Sequence, residues 1–147
     1  MNTDRDICED HYTRGKPIVR AKVAVINPET LRQTTIQKDF WIDTGFDGGI
    51  HVAQSHEADI TIIGVDPLKG SIGVAGGKTD PADRCLAYLQ QIEDYELPMP
   101  GIEAELILHG SDRHGLLGLD ILKHWTVKFD GPSELFKITS GSAQPKK

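Results

Sequence analysis

The sequence predicts an all-β domain of short strands, and three observations carry that prediction. Apolar and polar residues alternate in several segments, turn residues recur about every eight to twelve positions, and glycine and proline are scattered along the chain. Alternation of period two marks a half-buried strand, and turns this frequent leave no room for long helices. About seven such strands indicate a sandwich or a closed barrel. With 147 residues, of which 38% are hydrophobic, the chain can bury one modest core. Only 6% are aromatic, so that core must be mostly aliphatic.

Residues 1–16 (MNTDRDICEDHYTRGK) are charged and aperiodic, and read as a flexible arm ahead of a domain over 17–140. In Val19-Arg20-Ala21-Lys22-Val23-Ala24-Val25 apolar side chains fall at alternate positions, so Arg20 and Lys22 point outward. Asn27-Pro28-Glu29-Thr30 is turn chemistry, and a second strand from Gln33 to Ile42 returns beside the first. Asp43-Thr44-Gly45-Phe46-Asp47-Gly48-Gly49 suits neither strand nor helix. Ile50–Val52 is a short strand, and Ala53–Asp59 one helical turn or a loop. Gly64 to Gly77 is rich in glycine and reads as a hairpin with a mobile tip at Gly73-Val74-Ala75-Gly76-Gly77. Cys85–Ile92 and Ile102–Leu108 are strands, the latter with period two. Leu119–Trp125 is the one persuasive helix, about two turns, with Ile121, Leu122 and Trp125 on one face. Thr126–Phe129 and Leu135–Thr139, joined by Asp130-Gly131-Pro132-Ser133, close the chain as a hairpin ahead of a disordered tail at 141–147.

Sixteen basic and 22 acidic residues give a formal net charge of −6. A negative surface repels phosphate and anionic headgroups, which argues against nucleic acid and membranes as partners. Apolar runs such as Ile60–Val65 are too short to span a bilayer, and neither terminus reads as a signal peptide. Cys8 and Cys85 are too few for a disulfide framework. Two free thiols in a reducing cytoplasm are expected.

Three features then occur in a fixed order. Trp41-Ile42-Asp43-Thr44-Gly45 delivers a carboxylate at the end of an apolar strand; the glycine-tipped hairpin around Ile72–Lys78 follows; Leu116-Leu117-Gly118 precedes the helix. Together, rather than through the tripeptide alone, they resemble the retropepsin-like (clan AA) aspartic proteases, over roughly Val19 to Ile138. Asp-Thr-Gly-Phe, with Trp125-Thr126-Val127-Lys128-Phe129-Asp130-Gly131, looks most like the small single-domain prokaryotic members. The resemblance implies a closed barrel or sandwich half-domain with a flap hairpin and one short C-terminal helix. It implies an aspartic endopeptidase in which Asp43, Thr44 and Gly45 form the catalytic loop. Substrate would be bound by Phe46, Asp47, Leu117 and the flap residues Ile72, Gly73, Val74, Ala75, Gly76 and Gly77.

Peptide hydrolysis by carboxylates needs one group to take a proton from water and another to give one to the scissile carbonyl. Two carboxyls about 3 Å apart cannot both ionise cheaply, so they share a proton. The chain has one Asp-Thr-Gly and no internal repeat. A homodimer with two-fold symmetry is therefore the expected route to a pair of Asp43 side chains. In this scheme Thr44 fixes the loop through its hydroxyl, and Gly45 lets the backbone approach closely. Peptide or protein is the expected substrate, and no cofactor or metal is expected. Two positions depart from the retroviral pattern. Phe46 stands where a small residue is usual, and Leu119 stands where an arginine would pair with the acid at Asp47.

Other readings stay open. The chain could be a non-catalytic dimerisation or peptide-binding module on the same fold, or a barrel that binds small hydrophobes. Asp43 could be a turn residue that bonds its own loop. Asp120 fits the first turn of the helix better than a second catalytic carboxylate. His51, His56, His109 and His114, with Cys85, show no close-spaced ligand pair of the zinc-site kind. Gly73–Gly77 lacks the Gly-Lys-Ser/Thr and the helix of a phosphate loop.

Overall fold

The computed structural model describes residues 6–111 and 114–140. Residues 1–5 of the expected arm and the tail 141–147 lie outside the described residues. The strands are β1 (Asp6–His11), β2 (Ile18–Ile26), β3 (Gln33–Ile42), β4 (Ile50–Val52), β5 (Leu68–Val74), β6 (Lys78–Ile92), β7 (Tyr95–Glu96), β8 (Ile102–Leu108), β9 (Gly115–Leu117), β10 (Trp125–Asp130) and β11 (Leu135–Ser140). Two short helices, α1 (Glu57–Ile62) and α2 (Leu119–Leu122), complete the fold.

The expected all-β class holds, and the main sheet is a closed barrel. Its strands run in the order β2-β3-β9-β4-β8-β6, and β6 pairs back onto β2 to close the ring. Closure uses the length of β6. Its first part forms a hairpin with β5, its middle pairs with β8 from Asp83 to Leu89, and its end pairs with β2. The alternation in β2 does what its pattern demands: Val19, Ala21, Val23 and Val25 are buried, and Arg20 is exposed. Ala24 breaks the alternation and is also buried, just past a bulge between Lys22 and Val23 in the β2–β6 ladder. Leu89, Ile92, Leu106, Leu108 and Ile121 fill the interior with aliphatic side chains.

A second sheet has the order β1-β11-β10, with Phe136 and Ile138 of β11 fully buried in the same core. Here the structure departs from the expected arm. Asp6–His11 is a strand paired with β11, Ile7 is buried, and Lys137 meets Asp6 at 3.4 Å. Edge pairing is made by backbone groups, so a charged segment with a single buried apolar residue can still complete a sheet. The C-terminal helix is also shorter than expected. α2 ends at Leu122, and Trp125 belongs to β10, opposite Ser140. Ala53–Asp59 is a 3-10 turn leading into α1, which runs on to Ile62. The strand expected from Cys85 begins at Lys78 instead. No helix among the described residues is long and apolar enough to cross a membrane.

Candidate functional site

β9 is only three residues long, yet it organises the region around Asp43. It lies between β3, to which it is parallel, and β4, to which it is antiparallel, with Leu117 opposite both Ile42 and Ile50. Gly115 makes that wedge possible. A Cβ there would lie 2.5 Å from the Phe40 ring and 2.8 Å from the His51 carbonyl oxygen. The wedge places the Leu117 carbonyl under the end of β3, where it accepts the Asp43 N–H at 3.0 Å.

Asp43 is half-buried at that strand end, and the loop after it is held by backbone groups and by its own carboxylate. Oδ1 of Asp43 accepts the Gly45 N–H at 2.9 Å, and the Asp43 carbonyl accepts the Phe46 N–H at 3.2 Å. The start of α2 is stapled to the same loop. Gly118, Leu119 and Asp120 donate their N–H groups to the carbonyls of Gly49, Phe46 and Gly48 at 2.8, 2.9 and 3.1 Å. At Gly118 a Cβ would collide with the Gly48 carbonyl and with Phe46. The Phe46 ring also lies against Gly48 and meets His51 edge-on, with centroids 6.2 Å apart. It therefore packs within the chain, beneath the loop.

The other sequence-derived residues are distributed unevenly. Thr44, Gly45 and Asp47 are exposed. Leu117, read from the sequence as a substrate contact, is 0% exposed; its side chain belongs to the core and only its carbonyl serves the loop. Leu119 is 42% exposed, and Asp120 lies in the first turn of α2. Ile72–Gly77 form the end of the β5–β6 hairpin, with Gly76 and Gly77 at positive φ and Ile72 and Val74 half-buried. They do not line the hollow of about 320 Å³ that borders Asp43; Lys16, Pro17, Trp41, Thr44 and Phe129 do.

A polar chain beside this loop has no signature in the sequence. His51 Nε2 lies 3.1 Å from His109 Nδ1, and His109 Nε2 lies 3.1 Å from Asp80 Oδ2. Burial, and next the neighbouring His109, hold the His51 pKa below its ordinary value. Parallel pairing of β4 with β8 creates the contact, because it sets His51 opposite Ile107 and brings His109 onto the same face. Asp80, which pairs with Ile72 near the tip of the β5–β6 hairpin, ties that end of the hairpin to this pair. Among the described residues no three potential ligands converge as a metal site would require. Both thiols are half-buried and free, and burial pushes Cys8 up to about 12 and Cys85 up to about 11.

Compared with known proteins, the chain matches no family model, no curated protein and no solved structure.

Proposed function

We propose that the chain is one subunit of a retropepsin-like aspartic endopeptidase whose two Asp43 carboxylates, one from each copy, hydrolyse peptide bonds. One observation carries this reading. A strand end presents Asp43 in a loop whose carboxylate orientation is set by the Gly45 N–H, while β9 and Gly118 pass directly beside it. That is how a carboxylate is held in one geometry while its outer edge stays open to a partner and to water. One carboxylate would take a proton from water as the water oxygen attacks the peptide carbonyl. The other would give its proton to the carbonyl oxygen, and the tetrahedral intermediate would then break its C–N bond with a proton returned to the departing amine.

The dimer that this reading requires would use the surface beside Thr44. An apolar groove of about 410 Å³ runs beside Thr44, between α2 and β10, lined by Leu119, Trp125, Val127 and Phe129. Leu119 and Phe129 are 42% and 44% exposed, apolar area that a second copy would cover. A second reading, a peptide-binding module without hydrolysis, is favoured by one fact: the hairpin tip does not border the Asp43 hollow within a single chain.

Mixing subunits tests the proposal. Wild-type protein is equilibrated with an equal amount of Asp43→Asn protein, and digestion of a fluorogenic peptide library is followed. Random pairing leaves roughly a quarter of the dimers with two carboxylates, so activity per total dimer should fall to that fraction. A fall to one half would locate the whole site in one chain. No hydrolysis by the wild type, with peptide still bound, would favour the module.

A further inference from the structure

We infer that the cleft between the Thr13–Lys16 turn and the β2–β3 ladder binds the acidic side chains of an extended peptide, giving the site a preference for acidic substrates. The inference rests on the peptidase reading above, and it concerns a part of the molecule that the Asp43 chemistry does not use. The cleft, about 620 Å³, is lined by Arg14, Lys16, Arg20 and Lys38, with Asp39 as the one carboxylate among its described lining residues. Arg14, Lys16 and Arg20 against Asp39 leave the described lining cationic on a chain whose net charge is −6, and Lys38 joins them with its ammonium 3.5 Å from His56 Nε2. In a concave site such a cluster raises the local concentration of anions, while the rest of the surface repels them.

The cations are set in place by the fold. Thr13 and Lys16 exchange backbone hydrogen bonds at 2.8 and 3.1 Å, closing a tight turn in which Arg14 has positive φ. Lys16 lies over the Trp41 ring, 4.3 Å from its centroid, which orients the ammonium without neutralising it. Arg20 meets Asp39 at 3.6 Å, and both side chains remain more than half exposed, so that pair is weak and open to exchange. Ile18 and Arg20 line the cleft from alternate positions of β2, about 6.6 Å apart along the strand. Alternate side chains of an extended peptide repeat at the same distance.

The cations come from separate elements, Arg14 and Lys16 from the turn and Arg20 from β2, an arrangement suited to successive side chains of a peptide. Continuity points the same way. Lys16 lines both this cleft and the hollow that borders Asp43, so a chain leaving that hollow would enter the cleft.

The test is fluorescence anisotropy with labelled oligoglutamate, oligolysine and neutral oligoserine peptides, and with an oligothymidine. The wild type is compared with the double variant Arg14→Glu, Lys38→Glu; Lys16 is kept because it lines the Asp43 hollow. Oligoglutamate should bind in preference to the other peptides, more weakly as salt rises, and the variant should lose about tenfold or more in affinity. Matching circular dichroism and melting temperature show that the variant is folded, and the milder pair Arg14→Gln, Lys38→Gln should lose less. Equal binding of acidic and basic peptides, binding unchanged in the folded variant, or oligothymidine bound more tightly than oligoglutamate would overturn the inference. Hydrolysis is measured separately. Acidic peptide that binds but is not cut would leave the cleft standing and remove the peptidase reading; cleavage without charge preference would do the reverse.

Discussion

The most direct perturbation is at Asp43, where Asn and Ala separate chemistry from architecture. Among the described residues the Asp43 carboxylate makes one hydrogen bond, 2.9 Å from the exposed Gly45 N–H to Oδ1. Asn keeps an oxygen in that position, so Asp43→Asn should leave stability nearly unchanged. Asp43→Ala deletes the acceptor and should cost about 0.5–1.5 kcal/mol, at the low end because water reaches the N–H. A change of about 1 kcal/mol moves the melting temperature of a domain this size by roughly 2–8 °C. The remaining supports of the loop, above all the Asp43 N–H to Leu117 carbonyl bond, are backbone groups that neither substitution touches. Hydrolysis should respond on another scale: removing the group that takes water's proton should lower the rate by about 10²–10⁴ or more. Wild-type activity should follow a bell-shaped profile on the acid side of neutrality, since one carboxyl must be charged and the other protonated. Calorimetry and fluorogenic peptide digestion across pH provide both readings. Asp43→Asn activity within tenfold of wild type would show that this carboxylate is not the catalyst. A fall of more than about 10 °C in the Asn variant would make Asp43 a structural post instead.

Three other expectations follow from the same geometry. Gly115→Ala should cost about 1–3 kcal/mol in urea unfolding, because its Cβ meets the Phe40 ring and a carbonyl well inside contact distance, and hydrolysis should fall with it because β9 supports Asp43. His51 has a folded pKa below its ordinary 6.5, so the folded protein binds fewer protons there than the unfolded chain. Its contribution is full above that value and is lost as pH falls through the depressed one; His51→Gln should therefore lose less stability than wild type between neutral and acid pH, and identical slopes would discount the effect. Cys8 and Cys85, pushed up to about 12 and 11 by burial, should alkylate near pH 8 far more slowly than a peptide thiol, and rapid labelling would contradict their burial.

Much of the scaffold is legible in the chain because it is local. Alternation in β2 reports which side chains face the core, and Asp130–Ser133 forms the turn its chemistry predicts, with the Ser133 N–H bonded to Asp130 Oδ1 at 3.1 Å. The Asp43 turn is legible for the same reason, since glycines and short polar residues after an apolar strand favour a turn, whereas its bonds to Leu117 and to the start of α2 are not local. The limits of the helix at Leu119 were less legible. Ile121, Leu122 and Trp125 share a helical spacing, but the pairing of Trp125 with Ser140 removes Trp125 from the helix. A ladder that pairs Trp125 with Ser140, fifteen residues on, outweighs a local preference worth a few tenths of a kcal/mol per residue.

By itself, then, the chain determined the β class, the hairpins, the aspartate at a strand end and the glycine-rich loop beyond β5, all set by residues a few positions apart. Tertiary structure decided what depends on distant pairing. It decided that charged Asp6–His11 completes the second sheet, that Leu117 serves the loop through its carbonyl, and that His51, His109 and Asp80 form one chain. It also decided that Arg14, Lys16, Arg20 and Lys38 share a cleft. The physical reason is common to all of these. The apolar pattern and the turns set the register of the sheet, and that register aligns polar side chains far apart in sequence, so the chemistry of a residue states what it can do, and only the register states beside what.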